Sequence, residues 1–442
     1  MKKFAIGILI ALMLMSASSF ATKQRTNVMG DNDMIMVDDY NMMRFPGRIN
    51  SYPDLALGEF SPGGSGFFDN EFYNFGITWQ FNEDNPWVLG TFVSTWPYYG
   101  PTAHEPLPGF GEPFFTNLEE LFYYYDLKSI TDVAGVAPIG TPRRIQLIYG
   151  RDLGGNDFGF SLDVVRATYS HDIDSTQFSS RNKEEEAFSQ FTFGVGLTEG
   201  TSGQWDVAAQ ASFGSWTDKN TQGQDVTKPN GYFDAMIQGR YFWVQNPKVT
   251  LVPHAAATIG SRGADALSYD ASGNVTETDT WKSKRTGFDL GMGMNYTTGP
   301  NMLAVADFGL MLNTVKYEYT STDTAFTPGE EKWTALMLPY LKIGFEGEVF
   351  SWLDIRAGGS TTLWSNQWKY EYSDSDPAYS DETEKLDFPM NRLWLGTGLH
   401  FGKLTIDTYT DPEILLDGFN FISGSSDVAD LNWEVSLLYE LF

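Results

Sequence analysis

The chain has 442 residues, and its 57 acidic and 29 basic side chains give a formal net charge of −28. A surface this acidic repels phosphates, which excludes nucleic acid as a partner. Glycine (44 residues) and aromatic side chains (33 Phe, 22 Tyr, 13 Trp) are abundant, and cysteine is absent, so the fold needs no disulfide.

Residues 1–21 predict a signal peptide. Lys2 and Lys3 form a short basic region, residues 4–15 are apolar, and small residues at Ser19 and Ala21 match a signal peptidase site. The apolar run is shorter than the roughly 20 residues that a membrane-spanning helix needs. We therefore expect export and cleavage after Ala21. Residues 22–48 follow as a separate N-terminal segment without strand periodicity.

From about residue 73 to the end, apolar side chains alternate with polar or small ones. Phe75, Ile77 and Trp79, for example, alternate with glycine and threonine. A period of two predicts strands with two different faces. Residues 49–60 can supply one further strand at the start, which gives a count of sixteen. Fourteen is the alternative, because residues 404–409 are few and the first candidate contains Pro53.

The connections between these strands alternate between short and long. Short turns rich in Asn, Asp, Gly and Pro include residues 152–156 and 297–300, while long polar segments include residues 261–280 and 364–387. This sorting is typical of short periplasmic turns and long external loops. The sequence therefore predicts an all-β fold, a closed antiparallel up-and-down transmembrane β-barrel over residues 49–442.

Tryptophans near strand ends support a membrane location. Trp205 and Trp216 bracket one strand, and Trp352 and Trp364 bracket another. Spans of this length cover roughly 25–28 Å of the membrane normal at a tilt near 45°. This matches an apolar band of about 25 Å between two aromatic girdles. We therefore expect the apolar faces of the strands to contact lipid.

The C-terminal stretch 431–442 alternates apolar and polar residues and ends in Phe442. It resembles the last strand of Gram-negative outer-membrane β-barrels, the porin-like proteins as a class. It departs from that pattern because Trp433, Val435 and Leu437 are out of phase with Phe442. The resemblance implies the cell outer membrane as the location, with lipid and lipopolysaccharide as surroundings and the barrel-assembly machinery as a partner during biogenesis.

The N-terminal segment 22–48 is rich in methionine, and through this feature it resembles loosely the N-terminal plug of fatty-acid-transport barrels. The resemblance implies a hatch inside the barrel; a periplasmic position is the alternative. The methionines are Met29, Met34, Met36, Met42 and Met43.

The inward phase of the strands carries charged residues among small polar ones. Charged side chains are costly against lipid, so these are expected to line the lumen. The predicted lumen-lining residues are Asp163, Asp206, Asp234, Arg240, Asp289, Asp307, Lys342, Glu346, Asp354, Arg356, Arg392, Asp407, Glu434 and Glu440.

These features favour a porin-like channel for passive diffusion of small hydrophilic solutes, with a preference for cations because acidic residues are in excess. We expect no catalytic residues, no metal site and no cofactor. Three alternatives remain: a transporter of hydrophobic compounds with the N-terminal segment as a hatch, a structural or adhesive barrel with a closed lumen, and an outer-membrane enzyme. The sequence also leaves a homo-oligomer open.

Overall fold

Strands account for most of the described chain. The computed structural model describes residues 23–61, 72–81, 86–95, 143–173, 182–199, 203–219, 224–270, 272–299, 301–322, 329–372, 382–411 and 432–441. The predicted signal peptide 1–21 and Phe442 lie outside these ranges. In chain order the strands are β1 (Leu55–Ser61), β2 (Phe72–Phe81), β3 (Trp87–Thr95), β4 (Arg143–Asp152), β5 (Asn156–Ile173), β6 (Asn182–Glu199), β7 (Trp205–Lys219), β8 (Asp225–Tyr241, continued after Phe242 as Trp243–Asn246), β9 (Val249–Tyr269), β10 (Val275–Gly299), β11 (Met302–Ser321), β12 (Gly329–Phe350), β13 (Leu353–Tyr372), β14 (Glu382–Phe401), β15 (Leu404–Asp411) and β16 (Asn432–Glu440).

The sheet closes on itself. Each strand pairs antiparallel with its neighbours in sequence, and β1 pairs with both β2 and β16. Ala56, for example, lies opposite Ile77 on one side and Tyr439 on the other. Closure leaves no free sheet edge, which is the condition for a β-structure in a bilayer. The predicted sixteen-stranded up-and-down barrel is confirmed.

The outer wall is apolar and the inner wall is polar, as the period of two requires. On β10, Phe288, Leu290 and Met292 are 42–47% exposed, whereas Asp289 between them is 8% exposed. The same pattern recurs around the barrel and gives a continuous exposed apolar surface, which soluble proteins rarely carry. This surface is the lipid-facing band of an outer-membrane type of barrel. Within the described ranges, no helix is long and apolar enough to cross a membrane.

The strands at the long-loop end continue further than their sequence pattern indicates. Residues 261–280, expected as a loop, are mostly a ladder in which β9 and β10 pair up to Tyr269 and Val275. Above the membrane both faces of a hairpin contact water, so the side chains there need not alternate. The alternation of hydrophobicity therefore ends before the strands do.

The barrel wall begins later than expected. Residues 49–60 were predicted to provide the first strand, but β1 begins at Leu55. Ile49 belongs instead to a 3-10 helix, Pro46–Ser51, and its side chain is fully buried. The remaining N-terminal elements are two short helices, α1 (Lys23–Val28) and α2 (Asn41–Arg44).

Candidate functional site: the plugged lumen

Residues 23–54, called the plug below, lie inside the short-turn end of the barrel. Met29, Ile35, Phe45 and Ile49 are 0% exposed. Their barrel neighbours belong to strand segments close to the short turns, so the plug fills that end of the lumen. A segment with so little helix depends on the barrel wall for its conformation, since isolated short helices are not stable in water.

One anchor of the plug is an arginine on a shared carboxylate. Arg48 places Nε 2.7 Å from Oδ1 and Nη2 2.9 Å from Oδ2 of Asp206 on β7. Arg240 on β8 donates from Nε to the same carboxylate at 2.6 Å, and Thr198 donates its hydroxyl. All the charges are buried. Bidentate pairing of this kind fixes orientation as well as position.

Arg240 also holds the plug backbone. Its Nη1 donates to the carbonyl oxygens of Asp33 at 2.9 Å and Met36 at 2.7 Å, and its Nη2 donates to Oδ1 of Asn41 at 2.8 Å. The guanidinium also stacks over the ring of Phe45, 4.5 Å from its centroid. A single barrel arginine therefore contacts three separate parts of the plug.

A second anchor lies on strands β12, β13 and β15. Arg25 donates from Nε and Nη2 to the two carboxylate oxygens of Glu346, both at 2.7 Å. Arg356 joins Glu346 to Asp407 and lies 3.6 Å from Asp354. Burial alone would lower the pKa of Arg25, but the charge and hydrogen bonds of Glu346, together with the charges of Asp38 and Asp407, outweigh burial and raise that pKa above its ordinary value. Arg25 therefore stays charged in the lumen.

Apolar contacts fill the space between the anchors. Met29, Met34, Ile35, Met36 and Phe45 form one buried cluster with side chains of the wall. The wall residues of this cluster are Ala208, Phe242, Val252 and Val305. A second cluster joins Met42, Ile49 and Tyr52 of the plug to β1, β3, β4 and β16. Flexible methionines suit such irregular gaps.

Two wall glycines allow the plug backbone to approach closely. A Cβ atom at Gly358 would overlap the carbonyl oxygen of Val28, and one at Gly344 would overlap the carbonyl of Met29. Both contacts involve plug backbone, which cannot move aside as a flexible side chain can. These glycines therefore form the seat of the first plug turn.

Above the plug, towards the long-loop end, a layer of titratable side chains crosses β9 to β12. His254 Nε2 lies 2.9 Å from Asp307, and the Tyr340 hydroxyl donates to Asp289 at 3.1 Å. Lys342 of the same layer donates to the carboxylate of Asp31 in the plug at 3.2 Å. This layer therefore connects the plug to the long-loop half of the lumen.

Still closer to the loops, two arginines converge on one carboxylate. Arg262 donates to Asp234, and Arg285 lies 2.7 Å from the same side chain. The guanidinium of Arg262 stacks over Tyr232 at 4.7 Å. All of these side chains are buried in the barrel interior.

The predicted lumen-lining residues lie as follows. Asp206 and Arg240 are brought together, as are Glu346, Asp354, Arg356 and Asp407. Asp163 pairs with Arg144, and Asp234, Asp289, Asp307 and Lys342 lie in the two layers above the plug. Arg392 and Glu440 are half-buried on the inward phase, and the side chain of Glu434 lies outside the described part.

Some interior residues were missed by the sequence analysis. Arg262 was assigned to an external loop, and Arg144, Arg285 and Glu59 were not included, although all four are directed inward or half-buried there. Trp364 was also misplaced, because it was expected in the lipid-facing aromatic girdle. It is 2% exposed and lies on the inward phase of β13.

The lumen wall also carries large apolar side chains beyond the plug. They share the inward phase with the charged groups and are buried there: Met236, Met311, Val315, Met337, Trp364 and Trp394. The interior is therefore amphipathic rather than uniformly polar. In the described part of the chain, no group of three or more His, Asp or Glu side chains is arranged to hold a metal ion.

Comparisons with known proteins extend to architecture and no further. No model of a protein family matches the sequence, and no curated protein matches it. Among solved structures, the chain is similar to the toluene transporter TodX of Pseudomonas putida (11% identity, 96% of this chain and 99% of that chain, TM-score 0.39). It is also similar to the ferric yersiniabactin uptake receptor FyuA of Yersinia pestis (8%, 88% and 81%, 0.34) and to CdiB of Acinetobacter baumannii (11%, 87% and 59%, 0.38).

Proposed function

We propose that the protein is a gated outer-membrane transporter for compounds with a substantial apolar part, and that the plug is its gate. The observation that carries this proposal is the position of residues 23–54 inside the short-turn end of the lumen, tied to the wall by the ion pairs of Arg25 with Glu346 and of Arg48 with Asp206. A permanently open porin has no use for such a closure.

The lining of the lumen supports the choice of substrate class. Beyond the plug, Met236, Met311, Met337, Trp364 and Trp394 share the interior with ionised pairs. Ligand sites commonly combine apolar and aromatic walls with a few polar groups that fix orientation. Small hydrophilic solutes gain nothing from indole and thioether surfaces. The hydrophobic-compound alternative therefore fits this interior better than passive diffusion of hydrophilic solutes, and the proposal includes no catalytic step and no cofactor.

The test compares the full chain with a variant lacking residues 23–53. In planar bilayers, the full chain is expected to show little steady ion conductance, and the deletion variant a large steady conductance. In intact cells, the full chain is expected to accelerate uptake of the apolar dye N-phenyl-1-naphthylamine relative to cells with an empty vector.

Two results would overturn the proposal. Steady conductance of the full chain equal to that of the deletion variant would support the open porin. Absence of both conductance in the deletion variant and dye uptake by the full chain would support a structural barrel with a closed lumen. Heat-dependent mobility in SDS verifies that each variant forms the barrel, because a closed barrel resists unfolding by SDS.

A further inference from the structure

Four lysines form a transverse row on the outer wall of the barrel. Lys284 on β10 lies opposite Lys316 on β11, Lys316 lies opposite Lys332 on β12, and Lys332 lies opposite Lys369 on β13. Lys385 on β14 also faces outward. It lies opposite Gln367, two residues nearer the apolar band than the level of Lys369. These five residues are called the lysine row below.

The lysine row faces away from the lumen. Lys284 has the same strand phase as the lipid-facing Phe288, and its side chain is 62% exposed. Lys316 is half-buried on the same phase as Leu312, and the other three lysines are exposed. No lumen substrate therefore meets these ammonium groups, and the proposal below does not rest on the proposed transport function.

The row lies just above the apolar band. Four residues separate Lys284 from Phe288, which corresponds to about 9 Å along the membrane normal at roughly 3.3 Å per residue and a tilt near 45°. The headgroup region extends about 5–7 Å beyond each side of the hydrocarbon core. Lysine side chains are long enough to bend towards that level while their stems cover apolar surface.

Directly opposed like charges destabilise a sheet, so the row needs a counter-charge. The outward positions one step further from the membrane are Lys282, Glu318, Glu330 and Glu371. Lys282 lies opposite Glu318, and the three glutamates lie opposite one another. Glu318 contacts Lys284 at 3.2 Å and Lys316 at 3.4 Å. Glu318 therefore supplies counter-charge to two lysines of the row.

The informative feature is how positive and negative side chains are distributed along the membrane normal. If ion pairing within the sheet were the only role, opposite charges would lie directly across from one another. Instead, the level next to the membrane carries four lysines opposite one another, and in the level above it only Lys282 lies across from a carboxylate, that of Glu318. This occurs in a chain with 57 acidic and only 29 basic residues. The ammonium groups of the lysine row lie at the level of the lipid headgroups, where they can meet a layer of anionic groups.

We propose that the lysine row binds the phosphate groups of lipopolysaccharide in the outer leaflet. The long-loop end carries the row, and in a barrel of this type that end faces outward. The ammonium group offers three hydrogen-bond donors and a compact charge suited to phosphate. The apolar band directly below contacts the acyl chains of the same glycolipid.

The experiment uses the purified full chain in a zwitterionic detergent. Binding of rough-type lipopolysaccharide is measured by native mass spectrometry, with chemically dephosphorylated lipopolysaccharide as a second ligand. The test variant, called the row variant, replaces the four directly opposed lysines of the row: Lys284→Gln, Lys316→Gln, Lys332→Gln and Lys369→Gln. The matched control combines Lys248→Gln and Lys403→Gln, exposed lysines at the short-turn end. Heat-dependent mobility in SDS verifies the fold of each.

We expect the row variant to bind phosphorylated lipopolysaccharide at least tenfold more weakly than the full chain, and the control variant to bind it equally well. Dephosphorylated lipopolysaccharide should bind to all three proteins as weakly as the phosphorylated form binds to the row variant. Glu318→Gln should strengthen binding, because it removes a carboxylate that competes with phosphate for Lys284 and Lys316.

Three results would overturn the proposal. The first is unchanged binding by the row variant. The second is an equal loss in the control variant, which would indicate a general charge effect. The third is binding of phosphatidylglycerol as strong as that of lipopolysaccharide, which would assign the row to anionic phospholipid instead.

Discussion

Arg48 of the plug and Asp206 of the wall form a bidentate ion pair at 2.7 and 2.9 Å, although 158 residues separate them in sequence. The pair is buried, so each charge depends on the other. Removing one partner of a buried pair costs about 3–5 kcal/mol, because the remaining charge stays desolvated. Asp206 keeps Arg240 as a partner, so the main loss falls on the attachment of the plug.

We therefore expect Arg48→Ala to release the plug without opening the barrel. The chain has no cysteine, so a single Thr26→Cys substitution in the plug gives a specific probe. Thr26 is 1% exposed, and a membrane-impermeant maleimide can reach a cysteine there only when the plug leaves its seat. Labelling should accelerate by about two orders of magnitude, since 1.4 kcal/mol corresponds to a factor of ten.

Two further variants make this result specific. Arg48→Lys keeps the charge but loses the bidentate geometry, so its labelling rate should lie between that of the parent Thr26→Cys protein and that of Arg48→Ala. Arg151→Ala removes an exposed arginine at the same end of the barrel and should leave the rate unchanged. Equal labelling of the Arg48→Ala and parent proteins would contradict an anchoring role for this ion pair.

A second prediction concerns the glycine seat. In Gly358→Ala the new methyl group overlaps the carbonyl oxygen of Val28, and overpacking of this kind costs about 1–3 kcal/mol. The first plug turn should move away while the barrel keeps its resistance to SDS. The same Thr26→Cys probe measures the effect. In Gly299→Ala the new methyl group has open space, so labelling that rises equally in both variants would contradict this prediction.

A third prediction concerns pH. Burial raises the pKa of Asp39 well above its ordinary value of 3.8, and the charge of neighbouring Asp38 raises it further. The seated plug therefore takes up a proton that the released plug lacks. The stabilisation is complete below the ordinary carboxyl pKa and is lost as the pH rises through the raised one.

Release of the plug should accordingly increase as the pH rises above the ordinary carboxyl range and through the raised pKa of Asp39. The measurement is the Thr26→Cys labelling rate, divided at each pH by the rate of the urea-denatured protein to correct for thiol ionisation. In Asp39→Asn most of the pH dependence should disappear, because the amide carries no proton to release. A slope that persists in this variant would assign the pH dependence to another group.

The barrel follows from local sequence patterns, whereas the plug depends on contacts between residues that are distant in sequence. The alternation of Phe288, Leu290 and Met292 with small or polar residues requires only the period of a strand, and it predicted the barrel and its strand number correctly. The plug has no such period. Its conformation depends on pairs such as Arg25 and Glu346, which are 321 residues apart, so no local pattern indicates the contact.

Two side chains show where the pattern misleads. Trp364 was assigned to the lipid face because tryptophan at a strand end is typical of a girdle, yet its strand phase places it inside. Arg262 was assigned to a loop because the apolar–polar alternation of β9 ends before it, yet β9 continues and buries this side chain on its inward phase. Both errors affected the lumen, where the wall is more apolar and more basic than predicted.

The last prediction is cation selectivity of the barrel without its plug. The inward-facing residues predicted from the sequence include ten acidic and four basic side chains, a difference of 4 − 10 = −6. Adding the interior residues Arg144, Arg262, Arg285 and Glu59, and the buried Asp157 on the inward phase of β5, gives 7 − 12 = −5. The excess charge in a narrow, water-filled passage enriches the counter-ion, so the variant lacking residues 23–53 should prefer K⁺ over Cl⁻.

The measurement is the reversal potential across a KCl gradient. In the same deletion background, Asp289→Asn should reduce the preference and Arg262→Gln should increase it, because the first removes a negative charge and the second a positive one. A preference for Cl⁻ would show that the arginines facing the lumen, rather than its carboxylates, determine the field in the passage.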